Sequence, residues 1–224
     1  MKFDSKLQDE ICDQLLLAMP GKSTTILDQL TDDGMTDRDL YLNLLAATAR
    51  RMGELWDNDK ASFLYIQCAM QRIETILRDQ MPPEPTSAKD FRRNAIFATL
   101  PNEAHTIGLN MAASIQRSKG WNIELLRRLA TRPLLNAIQE SEATILGISI
   151  GSSKSVRDLY SVVDMVRARR PDIRILVSGS LVATDPKPFQ ELRVDAITSE
   201  FSDGERILEG FAASTARITS KTFS

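Results

Sequence analysis

The sequence predicts an α/β protein in which a four-helix bundle precedes a doubly wound parallel sheet. Helical periodicity alone runs through residues 1–80, and beyond about residue 90 short apolar runs alternate with amphipathic segments, as in βαβ units. The segment 81–87 separates the two patterns, and its three closely spaced prolines exclude a helix. These observations place a helical domain at residues 1–80, a linker at 81–92 and an α/β domain at 93–224.

The bundle is predicted from apolar residues that recur every three or four positions, as on the buried face of an amphipathic helix. Pro20-Gly21, Asp33-Gly34 and Asp57-Asn58-Asp59 interrupt this pattern, and Thr36 is a suitable N-cap for the third helix. The four helices are expected at 11–19, 26–30, 36–55 and 63–77. Helices joined by such short loops are typical of a bundle.

The second domain is predicted from apolar runs that are short enough to be strands buried on both faces of a parallel sheet. The strands are expected at 95–100, 121–126, 143–150, 173–177 and 196–198. The helices are expected at 109–118, 134–139 and 156–169, with a last one capped by Ser202 and running through Phe211. Ligands of such sheets bind outside the carboxyl ends of the strands, so functional residues are expected there.

The charge composition argues against a nucleic-acid-binding protein. The chain of 224 residues has a formal net charge of −2, whereas neutralising phosphates requires clustered lysine and arginine. A local cluster of Arg127, Arg128 and Arg132 is expected to be a solvated helix face. Direct contact with nucleic acid is therefore not expected.

The cysteine content and the N-terminus indicate a cytoplasmic protein. Cys12 and Cys68 lie inside apolar helical patterns with no other cysteine or histidine nearby in sequence, so buried thiols are expected rather than a zinc site. The first residues carry acids and no apolar signal-peptide core. No apolar run reaches the roughly 20 residues that a membrane span requires.

The loop after the first predicted strand carries the only histidine of the chain, His105. Glu103 stands two residues before it, and Gly108 stands three residues after it at the start of a helix. A neutral imidazole is a good axial ligand for cobalt or iron, and a carboxylate on its other nitrogen would fix the tautomer. Gly108 would allow a bulky planar ligand to approach the backbone.

This Glu-x-His-x-x-Gly pattern resembles the histidine motif of Rossmann-like cobalamin-binding domains, in which many members have Asp at the position of Glu103. Ser149 and Gly151 lie where that family has its serine motif, and Gly179 and Ser180 lie where it usually has two glycines. The resemblance implies that His105 is the lower axial ligand of cobalamin. It also implies that the ends of the strands form a channel for the nucleotide tail of the cofactor.

The helical domain resembles the cap of light-sensing and regulatory cobalamin proteins. It contains Met52-Gly53-Glu54-Leu55-Trp56, and in that family a tryptophan of the bundle covers the upper face of the corrin. Two departures matter. Ile66 and Gln67 replace the Glu-His pair of adenosylcobalamin photoreceptors, which puts a specific adenosyl pocket in doubt, and Ser180 replaces the second glycine of the strand-four motif.

The arrangement is similar to that of the short AerR/PpaA-type regulators of photosynthetic bacteria, since no DNA-binding module is expected before the bundle. The resemblance implies a sensor that controls transcription through a partner regulator protein. A heme-binding sensor of the same fold and a corrinoid carrier of a methyltransferase system remain alternatives, and a homo-oligomer stays open. Because no Ser-His-Asp arrangement, metal cluster or phosphate-binding loop is visible, no enzymatic activity is expected.

Overall fold

The computed structural model describes residues 6, 9, 10, 13, 32–80, 91–101, 103 and 105–221, and for some positions inside helices it describes the backbone alone. The chain divides into two compact units, Met1–Met81 and Pro82–Ser224. Two predicted helices, at 11–19 and 26–30, lie outside the described residues except for residue 13. Most of the predicted linker lies outside them as well. No helix in the described ranges is long and apolar enough to cross a membrane.

The first unit contains the third and fourth predicted helices. The third begins with α1 (Asp37–Asp39), continues through a π-helical segment (Leu40–Leu45) and ends with α2 (Ala46–Asp57). Thr36 caps it as predicted, because its Oγ1 accepts the backbone N–H of Asp39 at 3.1 Å. The fourth is α3 (Phe63–Gln80). The buried apolar side chains that these helices share are Leu40, Tyr41, Leu44, Leu45, Met52, Ile66, Ala69 and Ile73.

The second unit contains a five-stranded parallel sheet with the strand order β2-β1-β3-β4-β5. Its strands are β1 (Asn94–Thr99), β2 (Asn122–Leu126), β3 (Ile145–Ser149), β4 (Arg174–Ser178) and β5 (Ala196–Thr198). Its helices are α4 (Ile107–Ser118), α5 (Thr131–Glu140), α6 (Val156–Arg169), α7 (Ser180–Thr184) and α8 (Phe201–Lys221). The predicted α/β class and parallel sheet are confirmed. The five-residue helix α7 was not predicted, and Ser202 lies inside α8 rather than at its cap.

Helices cover both faces of the sheet, as the apolar strands require. On one face α5 and α6 bury Leu134, Ile138 and Val162 in a cluster that also holds Ile148 of β3. On the other face α4 and α8 contribute a second cluster that includes Leu109, Ala113, Leu208 and Ala212. The sheet is therefore doubly wound, and its strand ends remain as the edge at which a ligand can bind.

The chain reverses direction across the sheet at β1, which lies between β2 and β3. The carboxyl ends of β1 and β3 thus form the topological switch point, where such sheets have a crevice for ligands. The loop with His105 follows β1 at this point. Thr99, Ser149 and Ser178 are register partners at the carboxyl ends of the three central strands.

Candidate functional site

Glu103 connects the loop after β1 to the loop after β3. Its side chain is buried, with 1% of the residue exposed. Its Oε2 accepts the backbone N–H groups of Gly151 at 2.8 Å and Ser152 at 3.1 Å, and its Oε1 accepts the backbone N–H of His105 at 3.0 Å. A buried carboxylate is stable here because three backbone donors surround it.

The environment of Glu103 keeps it ionised at neutral pH. Burial raises the pKa of this carboxyl group, but hydrogen bonds from the N–H groups of Gly151 and His105, from the His105 ring and from the N–H of Ser152 outweigh burial. The pKa of Glu103 is therefore lowered from its ordinary value. The group beside His105 is a carboxylate.

His105 presents one ring nitrogen to Glu103 and leaves the other for a ligand. Its Nδ1 lies 2.6 Å from Glu103 Oε1, and 64% of its side chain is exposed. An ionised carboxylate only accepts hydrogen bonds, so Nδ1 carries a proton and donates a hydrogen bond to Oε1 of Glu103. The lone pair of the neutral imidazole is then on Nε2, which is the nitrogen a metal would bind.

Gly151 fixes the place of the imidazole ring. A Cβ added at Gly151 would lie 2.7 Å from His105 Cγ and 2.8 Å from its Nδ1, closer than real Cβ atoms approach. The ring therefore packs directly on the backbone of the loop after β3. Gly108, in the first turn of α4, differs, because a Cβ there would meet no atom within 4 Å.

The other predicted site residues follow the neighbouring strands. Ser149 ends β3 and is half-buried, and Ser180 is exposed at the start of α7. Gly179 has a φ of 128°, and a Cβ there would lie 2.1 Å from the carbonyl oxygen of Ile150. The packing of the protein backbone therefore requires glycine at position 179. The resemblance had explained this glycine only by the space needed for the nucleotide tail.

Ser155 is a buried residue of the same region that the sequence did not single out. It is fully buried at the N-cap of α6, and its Oγ has no hydrogen-bond partner among the described residues. An orphaned buried hydroxyl costs free energy unless something binds it. The only sequence signal for it was a serine before a helix, which usually indicates a cap.

Trp56 belongs to α2 in the first unit, and its side chain lies outside what the structure describes. Of the two α3 residues that replace the Glu-His pair, Ile66 is a buried core residue of that unit and Gln67 is exposed.

The donors present suit a metal that already has a macrocycle. No three His, Cys, Asp or Glu side chains of the described ranges come together to hold a metal ion. His105 offers a single oriented nitrogen, and the space beside Gly108 is open. A doubly wound α/β domain with one carboxylate-oriented imidazole at its switch point is suited to bind a tetrapyrrole through one axial ligand.

The family match agrees with this description. Residues 93–211, more than half of the chain, match the model of the B12 binding domain. The chain belongs to this family, and cobalamin is its cofactor. The cobalamin-binding family suggested by the sequence is thereby confirmed, and cobalamin is favoured over heme.

A curated relative and several solved structures are similar to the chain. An uncharacterized 20.5 kDa protein in the bchF-crtJ intergenic region of Rhodobacter capsulatus is 19% identical over 167 residues, covering 73% of this chain and 87% of the relative. The monomethylamine corrinoid protein of Methanosarcina barkeri has a TM-score of 0.72 at 15% identity, covering 92% of this chain and 99% of its own.

Two further structures match with a TM-score of 0.50 and 16% identity. One is a cobalamin-binding protein from Desulfitobacterium hafniense, with 91% of this chain and 98% of that chain covered. The other is the methanol:cobalamin methyltransferase complex MtaBC of Methanosarcina barkeri, with 95% and 81% covered. At these identities the likeness establishes the fold alone.

Proposed function

We propose that this chain is a cobalamin-binding sensor that controls transcription through a partner protein and holds its cofactor through His105. The observation that carries the proposal is the hydrogen bond between Glu103 and His105 Nδ1, which directs the basic nitrogen of an exposed ring outward at the switch point of the sheet. The regulatory part rests on the resemblance of the sequence to AerR/PpaA-type regulators, and the uncharacterized protein of the bchF-crtJ intergenic region is similar over most of both chains. We propose no catalysis by the chain itself.

Each residue of the site has a separate task in this proposal. His105 Nε2 would hold the cobalt of bound cobalamin, and Glu103 would keep the proton on Nδ1 and so strengthen Nε2 as a donor. Gly151 keeps the ring in place, and Gly108 leaves room for the macrocycle. Ser149, Gly179 and Ser180 lie at the strand ends and would hold the nucleotide tail. Bound cobalamin supplies a metal centre whose upper ligand can change, which is the property a sensor needs.

The buried hydroxyl of Ser155 supports the fit of a polar ligand to this edge of the sheet. It belongs to the loop after β3, the loop whose Gly151 and Ser152 bind Glu103. A polar group of the cofactor or a water molecule held with it would satisfy this hydroxyl.

A corrinoid carrier is the second candidate. It is favoured by the similarity in fold to the monomethylamine corrinoid protein of Methanosarcina barkeri. The MtaBC structure is a complex, which agrees with a protein partner for a carrier and for a sensor alike. A carrier exposes the upper face of the corrin to an enzyme, whereas the resemblance to regulatory cobalamin proteins implies that Trp56 would cover it. A carrier would therefore deliver methyl groups from bound methylcobalamin to a methyltransferase, and a sensor would not.

The His105→Ala substitution tests the coordination. We expect the absorption spectrum of bound hydroxocobalamin to lose the features of imidazole ligation and the affinity to fall by at least about tenfold, while the far-UV circular dichroism stays unchanged. Since the chain has no other histidine, no other imidazole can take its place. Ser153→Ala, an exposed change in the nearby loop, is the matched control. An unchanged spectrum and affinity in His105→Ala would remove the central residue of the proposal.

The regulatory role has its own test. A tagged full-length chain, with and without hydroxocobalamin, should retain a transcription regulator from a native extract in one cofactor state more than in the other. Purified chain should not bind promoter DNA by itself, since its net charge is −2. Tight, sequence-specific DNA binding by the isolated chain would contradict the proposal.

A further inference from the structure

Three exposed arginines lie close together in sequence at the carboxyl end of β2, beside the loop that carries His105. The sequence suggested that Arg127, Arg128 and Arg132 form a helix face. That expectation is wrong for two of them, because Arg127 and Arg128 lie in the loop between β2 and α5 and only Arg132 is helical. The segment 127–132 is called the arginine segment below.

The arginine segment is fixed to the site by two hydrogen bonds. Arg127 Nη1 donates to Oδ1 of Asn110 at 3.0 Å, and Asn110 is a residue of α4 that is only 5% exposed. The backbone N–H of Arg128 donates to Oγ1 of Thr99, at the end of β1, at 3.0 Å. The segment is thus held against the strand and the helix that flank His105.

The positive charge of this segment is not compensated within the described part of the chain. Other arginines pair with acids, for example Arg93 with Glu209 at 2.9 Å and Arg174 with Asp195 at 2.7 Å. None of the three arginines of the segment forms an ion pair with a described carboxylate. Arg132 even stands in the first turn of α5, where no acid is present and where a helix disfavours positive charge.

The backbone of the arginine segment is also locally unfavourable. Arg128 adopts a φ of 54°, in the left-handed region that non-glycine residues rarely occupy. Uncompensated charge and a strained backbone in one segment break two local rules of stability, and such conflicts are typical of surfaces kept for binding.

We propose that the arginine segment docks an acidic stretch of a partner protein at the rim of the cofactor site. Nucleic acid is the poorer match, since three arginines on a chain of net charge −2 fall short of the roughly 6–10 phosphate contacts of a typical site. Acidic side chains require only local complementarity. The inference rests on the proposed function for the identity of the partner as a regulator, and it places that partner next to the residues that hold the cofactor.

The test uses full-length protein, cobalamin-loaded and free, with a synthetic oligoglutamate peptide as the probe at low salt. The test variant is Arg128→Asn with Arg132→Gln, which leaves the Arg127–Asn110 hydrogen bond in place and gives position 128 a residue that tolerates positive φ. The control variant is Arg169→Gln with Arg193→Gln, which removes the same charge from exposed positions at the opposite edge of the sheet. Circular dichroism checks that both variants fold.

We expect the test variant to bind the peptide about fivefold to tenfold more weakly than the wild type, and the control variant to stay within about twofold, since exposed ion pairs contribute modestly. Equal losses in both variants would overturn the inference. The inference would also be overturned if a short duplex DNA bound more tightly than the peptide and if only the test variant weakened this DNA binding. Cobalamin spectra recorded on the same samples report on the proposed function separately, because cofactor binding without peptide binding refutes only the docking surface.

Discussion

Glu103 makes two kinds of contact, and substituting it tests both of them while His105 stays in place. It orients the imidazole, and its Oε2 also holds the N–H groups of Gly151 and Ser152. Glu103→Gln replaces one carboxylate oxygen with an NH₂ group that cannot accept a hydrogen bond from these donors. We expect a loss of roughly 1–3 kcal/mol in the free energy of unfolding and of about 10–100-fold in cobalamin affinity.

Urea unfolding and cobalamin titration measure the two losses, with Glu142→Gln as an exposed control. The pH dependence gives an independent check. Because the pKa of Glu103 is lower in the folded chain than its ordinary value, the stability that its charge contributes is complete above that ordinary value and is lost as the pH falls through the lowered pKa. The difference in stability between wild type and Glu103→Gln should therefore shrink at acidic pH. A constant difference would show that the charge of Glu103 contributes nothing.

Gly108 tests whether the open space beside α4 belongs to the cofactor. Because a Cβ there meets no atom within 4 Å, Gly108→Ala should leave the melting temperature unchanged or slightly raised. If the macrocycle uses this space, we expect the cobalamin affinity to fall nonetheless, because the added methyl group would occupy it. Melting curves and cobalamin titrations of the same protein decide this, and undiminished affinity would place the macrocycle elsewhere.

Residues of the site could be predicted where their signal is local in sequence. Glu103, His105 and Gly108 share one short loop, and the contact between the first two is present as expected. Thr99 and Ser155 were missed because their positions depend on strand register and on burial, which only the folded sheet determines.

At the scale of elements, Gly179 joins the end of β4 to the backbone that follows β3. Any side chain there would meet the carbonyl oxygen of Ile150, and the φ of 128° is itself unfavourable for other residues. Gly179→Ala should lower the free energy of unfolding by roughly 2–4 kcal/mol, in contrast to Gly108→Ala. Chemical denaturation of the two variants side by side measures this, and equal stability would mean that the backbone relaxes at little cost.

Two residues of helix α3 motivate a prediction about the upper ligand. Ile66 is packed in the core of the first unit and Gln67 is exposed, and neither provides the Glu-His pair of adenosylcobalamin photoreceptors. We expect the dissociation constants for hydroxocobalamin and adenosylcobalamin to agree within about tenfold, since Ile66 and Gln67 supply neither the carboxylate nor the imidazole of that pair. Parallel titrations measure both. A strong preference for the adenosyl form would contradict this prediction.

Elements with strong periodicity were predicted closely. Helix α6 and strand β5 begin and end where the sequence indicated, because a long amphipathic stripe and a short apolar run between polar turns leave few alternatives. Helix α7 is too short to show a period, and the π-helical segment before α2 has the same apolar pattern as an ordinary helix.

At the scale of the whole molecule, the sequence indicated parallel strands but not their order. The parallel direction of the strands puts the loops after β1, β2 and β3 at one edge, and the order β2-β1-β3-β4-β5 makes these loops neighbours although their residues are far apart in the chain. The histidine, the loop that orients it and the arginine segment thus belong to one surface of the α/β unit. Ligand binding and partner binding are expected to influence each other across it.

Trp56 provides the test of whether the helical unit takes part in cofactor binding. A ligand that binds only the folded chain stabilises it by about 2.7 kcal/mol at a free concentration of 100 times its dissociation constant. If the Trp56 side chain covers the corrin, as the resemblance to regulatory cobalamin proteins implies, Trp56→Ala should weaken cobalamin binding. The rise in melting temperature at a fixed cobalamin concentration should then shrink.

Tyr65→Ala is the matched control, because Tyr65 is an aromatic residue of the same unit that is 57% exposed. Scanning calorimetry with and without hydroxocobalamin gives the shift for each variant. We expect the shift to be preserved in Tyr65→Ala and reduced in Trp56→Ala, whereas His105→Ala should reduce it further because the proposed metal–imidazole bond could not form. Equal shifts in wild type and Trp56→Ala would mean that the α/β unit binds the cofactor without a tryptophan cap. The upper face would then be open, as the carrier alternative requires.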